Sequence, residues 1–287
     1  MSRIEDALRK IQGGAKSPAA PSVERRSAVP IAKKKKVAVE GEKHHVDQES
    51  LIQGGVLAAL DHAGRVADEF RKIKRPLIAN ATRVGTDATP HQNVVMIASG
   101  LPGAGKTFCS VNLAVSISLE RELNVLLVDA DVAKPHISRA FGLADEPGLI
   151  DLLLDESLDV ADVLVRTDLN DITVLPAGRR HPQATELLSS DRMSAVVKEL
   201  ATRYSDRLVL LDSPPLLVTS EAQALASQVG QIAIVVEAGK TLQHSLEQTV
   251  DVLEHDKPIN IILNKTGSWG NRGSYYGEYG SSAYDNR

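Results

Sequence analysis

Val94-Val95-Met96-Ile97-Ala98-Ser99-Gly100-Leu101-Pro102-Gly103-Ala104-Gly105-Lys106-Thr107 is the stretch on which the fold turns. Five apolar residues lead into the pattern G-x-x-x-x-G-K-[ST], and residues 107–119 continue at helical spacing. A strand, a glycine loop and a helix in that order form the setting in which this pattern binds phosphate. Glycines let the backbone curl so that its N–H groups point inward, and the helix N-terminus adds partial positive charge. Lys106 then reaches the β- and γ-phosphates, and the Thr107 hydroxyl is placed to ligand Mg²⁺. The expected contact set is Gly100, Pro102, Gly103, Ala104, Gly105, Lys106, Thr107 and Phe108.

Outward from the loop, further apolar runs occur at Val125–Val128, Ile172–Leu175, Leu208–Leu211, Ile232–Val236 and Ile261–Leu263. They lack strict alternation, which suits strands covered on both faces. Helical patterns fall near 107–119, 190–204, 219–228 and 242–255. Strands alternating with helices predict a P-loop NTPase-like α/β fold, a mostly parallel sheet with helices on both faces. A charged helix is expected over 62–75, ending before Pro76.

A phosphate-bound Mg²⁺ needs carboxylates at neighbouring strand ends. The run Leu208–Leu211 ends at Asp212, followed by Ser213-Pro214-Pro215, and resembles a Walker B strand. The run Val125–Val128 ends at Asp129-Ala130-Asp131, where extended residues two apart point the same way. Each aspartate alone could merely cap a turn. Three at the carboxyl ends of two strands, beside a phosphate loop, lie where open α/β sheets bind ligands. Asn264-Lys265-Thr266-Gly267 follows the last run. A guanine-reading N-K-x-D would need Asp at 267, so ATP is favoured over GTP. Asn264 is left either touching the base or turning the chain.

The chain has 287 residues, a formal net charge of −4 and one cysteine, Cys109. The charge argues against a bulk grip on nucleic acid, and the lone cysteine excludes a disulfide framework. Cys109 lies one turn into the loop's helix and reads as packing. Residues 1–50 carry 11 basic and 7 acidic side chains, a net of +4 that includes Lys33–Lys36. They divide into a short amphipathic helix over 1–12 and a flexible basic linker. A P-loop domain is expected over 51–265 and a mobile tail over 266–287. No run approaches the roughly 18 apolar residues of a membrane helix, and the amino terminus lacks a signal-peptide core, so a cytoplasmic location is expected. Four of the five tyrosines, Tyr275, Tyr276, Tyr279 and Tyr284, lie in the last 13 residues, among small polar neighbours that cannot pack them.

Together these motifs resemble the bacterial tyrosine kinases of exopolysaccharide systems. The match rests on Pro102-Gly103 in the loop, Val128-Asp129-Ala130-Asp131 as a second acidic motif, Asp212 with its two prolines, and the terminal tyrosines. Met1–Lys10 and Arg71–Asn80 are most similar to the autokinases of exosortase-linked polysaccharide loci. The family's assembly pattern E-x-x-R-x-x-R appears here as Glu69-x-x-Lys72-x-x-Arg75. The resemblance implies an ATP- and Mg²⁺-dependent protein-tyrosine autokinase that phosphorylates Tyr275, Tyr276, Tyr279 and Tyr284 in trans. It implies a ring-like homo-oligomer through helix 62–75, and a separate membrane co-polymerase that draws the chain to the inner face of the membrane. A phosphotyrosine phosphatase completes such a cycle. It also puts the second acidic motif beside the acceptor: Asp129 as base or hydroxyl orienter, with Asp131 and Asp212 linked to Mg²⁺, roles that could be exchanged. The competing expectation is a non-catalytic, ATP-switched regulator related to division-site and partition ATPases. Those proteins carry a signature lysine directly after the first loop glycine, where this chain has Leu101, and they lack a terminal tyrosine cluster.

Overall fold

The computed structural model describes residues 42–58, 64–83, 85, 88–203, 206–254 and 256–268. The expected first helix, most of the linker and all four tail tyrosines lie outside the described residues. Seven strands form one sheet: β1 Val94–Ala98, β2 Asn124–Asp129, β3 Val165–Arg166, β4 Thr173–Leu175, β5 Arg207–Asp212, β6 Gln231–Glu237 and β7 Ile259–Asn264. Their spatial order is β3-β4-β2-β5-β1-β6-β7. All pairs are parallel except β3 with β4.

The apolar runs are continuous because each strand serves two cores. Val94, Met96 and Ala98 of β1 join the cluster that also holds Val128, Val197, Leu211 and Leu225. Val95 and Ile97 join the opposite one with Leu77, Leu113, Leu127 and Leu210. The period-two alternation of the pleat sends neighbouring residues to opposite faces. Helices cover both sides: α1 Gln48–Gln53, α2 Arg65–Ala81, α3 Lys106–Ser118, α4 His136–Ala140, α5 Leu149–Leu154, α6 Ala184–Leu188, α7 Asp191–Arg203, α8 Ser220–Gln228 and α9 Gln243–Asp251. Helix α3 is buried almost all round, and burial pushes the Cys109 thiol up to about 12, as befits a packing residue.

Two expectations change. The charged helix does not stop before Pro76; α2 runs through it to Ala81. An interior proline costs about 3 kcal/mol or more, and the turn after it is held by tertiary contacts. Leu77 is buried, Asn80 Nδ2 donates to Gln231 Oε1 at 3.1 Å, and Gln231 Nε2 donates to the Leu77 carbonyl at 3.1 Å. Residues 43–53, read mostly as linker, pack on the edge of the sheet. His44 bridges to Thr167 and its Nε2 lies 2.8 Å from the Phe141 carbonyl oxygen. His45 Nδ1 meets Asp168 at 2.6 Å, and Val46 and Leu51 are buried.

Candidate active site

Loop and helix meet through two glycines in the left-handed region, Gly103 with φ of 85° and Gly105 with φ of 95°. L-residues avoid that region, so the sequence needs glycine there. Gly105 has a second reason: a Cβ on it would sit 2.2 Å from Asn264 Nδ2. Asn264 ends β7 and donates from that nitrogen to the Ala104 carbonyl at 2.9 Å. Lys265, itself at φ of 60°, donates to the Gly103 carbonyl at 2.7 Å and pairs with Glu237 at 3.2 Å. Two consecutive residues thus hold two loop carbonyls, a job the sequence reading did not give them.

At the first turn of α3 the Lys106 ammonium is buried and lies 3.2 Å from Ser99 Oγ. Burial lowers its pKa, against the attraction of Asp212 and Asp131. Thr107 Oγ1 donates to Asp212 Oδ2 at 2.7 Å, and Ser110 Oγ lies 3.0 Å from Asp212 Oδ1. Phe108 turns its side chain the other way, its ring centroid 5.9 Å from that of Phe70 on α2. Only its first-turn amide, without an intrahelical acceptor, is available to a phosphate.

The parallel register of β2 and β5 makes Asp129 and Asp212 direct partners. Both are buried. Burial pushes the Asp212 carboxyl up to about 6, against Thr107, Lys106 and Ser110. Burial, then the neighbouring Asp212, pushes Asp129 up to about 8, although Ser138 opposes the shift. Asp129 Oδ2 accepts from the Ser138 amide at 2.8 Å and its hydroxyl at 2.7 Å, while buried Oδ1 has no protein donor. Asp131 is half-buried, and its Oδ1 accepts from the Lys134 amide at 3.1 Å. Lys106, Thr107, Asp129, Asp131 and Asp212 are therefore gathered at the carboxyl end of the central strands.

This set fits Mg²⁺ with a nucleotide. A hydroxyl and carboxylates are hard oxygen donors, and the buried Lys106 and Asp129 Oδ1 have polar capacity to spare. Among the described residues no three His, Cys, Asp or Glu side chains gather tightly enough to cage a metal. Mg²⁺ in phosphoryl-transfer sites takes one or two carboxylates and completes its shell with phosphate oxygens and water. On α2, Glu69 pairs with Arg65 at 2.9 Å, and Lys72 and Arg75 are exposed. The sequence reading missed Ser99, Ser110 and Ser138. None belongs to a motif; the fold brings Ser110 and Ser138 to the acids and Ser99 to the Lys106 ammonium.

Comparison with known proteins agrees with this geometry. A family profile described as an AAA domain matches residues 92–263. The tyrosine-protein kinase YwqD of Bacillus subtilis (strain 168) is 30% identical over 234 residues, covering 81% of this chain and 94% of that protein. The succinoglycan biosynthesis transport protein ExoP of Rhizobium meliloti (strain 1021) is 31% identical over 208 residues, 70% of this chain but 25% of that protein. The chain thus spans about a quarter of that longer relative. Among solved structures, the kinase domain of the Escherichia coli tyrosine kinase ETK superposes with a TM-score of 0.64 at 26% identity, over 80% of this chain and 84% of that one.

Proposed function

The chain belongs to the bacterial tyrosine-protein kinase family, and on that premise we propose that it transfers the γ-phosphoryl group of ATP to tyrosines of its own carboxyl-terminal tail. Tyr275, Tyr276, Tyr279 and Tyr284 are the acceptors, and one subunit's tail enters its neighbour's site. The observation that carries this reading is the convergence of the phosphate loop, the Thr107–Asp212 pair and Asp129 on one end of the sheet. The tyrosine oxygen attacks phosphorus, the bond to the bridging β–γ oxygen breaks, ADP leaves, and the phenolic proton passes to a carboxylate. Such transfer depends on positioning and charge neutralisation more than on covalent chemistry.

Lys106 and the loop amides stabilise charge on the phosphoryl oxygens. Thr107, Asp131 and Asp212 would hold Mg²⁺, which supplies further charge neutralisation when bound. Asp129 orients the acceptor hydroxyl and accepts its proton. Burial and Asp212 raise its pKa, which makes the ionised form of Asp129 a stronger base for the phenolic proton. Because Asp129 is closed to solvent here, its Oδ1 meets a tyrosine only after the site opens. Asn264, bound to the Ala104 carbonyl, acts on the loop rather than on the base.

Helix α2 joins neighbouring subunits through Glu69, Lys72 and Arg75, in a ring-like assembly. A membrane polysaccharide co-polymerase recruits the kinase to the inner face of the membrane, and a phosphatase resets the tail. Similarity to a protein named for succinoglycan biosynthesis transport supports a role in exopolysaccharide synthesis or export. Among the described residues no helix is long and apolar enough to cross a membrane. The test is to incubate the full chain with Mg-ATP, blot for phosphotyrosine and map the sites by mass spectrometry. A Lys106→Met chain with an intact tail, mixed with wild type lacking residues 266–287, should become phosphorylated. No phosphotyrosine in the wild type would sink the kinase reading, and none in the mixture would sink the trans reaction.

A further inference from the structure

We infer that Ser138 is a positioning residue for the kinase reaction, holding Asp129 in a single orientation through a two-point grip that also ties the carboxylate to the loop after β4. The inference rests on the kinase reading above and adds a residue that belongs to none of its motifs.

The grip is on one oxygen only. Ser138 lies nine positions after Asp129 and is buried within the short helix α4. Both its amide, at 2.8 Å, and its hydroxyl, at 2.7 Å, donate to Asp129 Oδ2. A carboxylate bound twice at one oxygen cannot rotate about its terminal torsion without losing both bonds. Oδ1 is thereby kept clear, buried and without a protein donor. In the ionised carboxylate, an acceptor of that kind is set up for a donor brought by a ligand, here the hydroxyl of an entering tyrosine.

The serine is itself fixed. Its hydroxyl proton goes to Asp129, and its oxygen accepts from the Ala177 amide at 2.9 Å. That amide belongs to the turn after β4, which is stapled from beneath. Asp151 Oδ2 accepts from the amides of Gly148 at 2.9 Å and Arg179 at 3.2 Å, and Asp151 Oδ1 pairs with Arg179 Nε at 2.7 Å. A Cβ on Gly178 would come within 2.5 Å of the same Asp151 carboxylate, so the turn has no slack. The order Ala177 amide, Ser138 hydroxyl, Asp129 carboxylate leaves the hydroxyl one direction in which to donate. A group within such a chain fixes the rotamer and lone-pair direction of the residue that meets substrate, as outer partners do for metal ligands.

The test compares wild type, Ser138→Ala, Ser138→Thr and Thr167→Val in full-length protein. Thr167 is an equally buried hydroxyl, bonded to the Ile172 carbonyl at 2.9 Å away from the phosphate loop, and reports the generic effect of losing one. The readouts are kcat and KM for ATP in autophosphorylation, the affinity for a fluorescent ATP analogue with Mg²⁺, and the melting temperature. Ser138→Ala should lower kcat on the order of tenfold or more, with KM and analogue affinity within about twofold of wild type. Ser138→Thr, which restores the hydroxyl, should recover most of kcat. Thr167→Val should lose stability but keep kcat. The inference is overturned if Ser138→Ala keeps its kcat, if it stops binding the analogue, or if Thr167→Val loses as much kcat. A folded Ser138→Thr protein as slow as Ser138→Ala also overturns it. Should Ser138→Thr fail to fold, the split between kcat and KM in Ser138→Ala decides alone. A wild type that makes no phosphotyrosine would instead remove the kinase reading, which separates the two failures.

Discussion

Asp129 and Asp212 stand opposite each other as register partners on adjacent parallel strands, both closed to solvent, with Thr107 and Ser110 attending one and Ser138 the other. Burial pushes both carboxyls above their ordinary range, to about 8 for Asp129, where the neighbouring Asp212 adds to the shift, and to about 6 for Asp212.

That pair should make the ligand-free protein less stable as pH rises. A carboxyl whose folded pKa exceeds its unfolded one holds a proton in the folded state after the unfolded chain has released it. Between about pH 4 and pH 8 for Asp129, and between about pH 4 and pH 6 for Asp212, the folded state binds more protons, so stability falls by up to about 1.4 kcal/mol per pH unit for each group within its window. Differential scanning calorimetry without nucleotide should show a lower melting temperature at pH 8 than at pH 5. Asp129→Asn should flatten the slope and raise the melting temperature at pH 8. A variant that follows the wild-type curve would show that Asp129 is not the titrating group.

Lys106→Met should abolish autophosphorylation, by roughly a hundredfold or more, while the protein still folds. The stem is buried, and its ammonium donates to Ser99 Oγ at 3.2 Å. Methionine keeps the packing and removes the charge. Phosphotyrosine blotting alongside circular dichroism checks both halves of the claim. Undiminished phosphotyrosine in a folded variant would remove Lys106 from the reaction.

Gly105→Ala should weaken Mg-ATP binding more than Asn264→Ala does. Asn264→Ala loses one bond to the Ala104 carbonyl. Gly105→Ala both forces a Cβ onto the Asn264 amide and strains a residue held at φ of 95°, at a cost of about 1–3 kcal/mol. Adding Asn264→Ala to Gly105→Ala relieves the clash but not the backbone, so the double variant should remain impaired. Titration with a fluorescent ATP analogue measures all three. Full recovery in the double variant would mean that the side-chain clash is the whole effect.

Replacing Glu69, Lys72 and Arg75 together by alanine should yield monomers and slow tail phosphorylation. The three fall near one exposed side of α2, and Glu69 already pairs within its own helix to Arg65. Surface pairs of this type contribute about 0–1 kcal/mol each to folding, so the melting temperature should barely move. Sedimentation velocity with Mg-ADP is the check, and a triple variant that sediments like wild type would remove this face from the assembly.

Much of the sheet was legible because buried parallel strands write themselves as unbroken apolar runs. Six of the seven strands in the described residues fall within a residue or two of such a run. The seventh, β3, has two residues and leaves no periodic trace. Helices α4, α5 and α6, of five or six residues, are likewise too short for a pattern to repeat. Pro76 misled because helix termination is a local rule, whereas the contacts that carry α2 onward come from Gln231, more than 150 positions away. In the site, Lys106, Thr107, Asp129, Asp131 and Asp212 could be read because their spacing to strand ends encodes their chemistry. Ser138 could not, since a serine in a short helix has no signature until the register of β2 fixes where the Asp129 carboxylate ends up.

The strand order also bears on how the chain is made. β1, which launches the phosphate loop, is the first strand among the described residues, yet its neighbours are β5 and β6: Val94 lies beside Val209, and Val95 beside Gln231. A nascent chain that has emerged as far as β4 holds β1 with neither flank covered. Non-local pairings of this kind are slow to form, and an unpaired apolar strand invites association. The ATP site is therefore assembled only after β5 and β6 have emerged. A ribosome that stalls before residue 207 releases a fragment that has its glycine loop but neither β5, which pairs with β1, nor the Asp212 that faces Thr107. For this fold, nucleotide affinity is a certificate that translation has passed β6 and that the sheet has closed around β1.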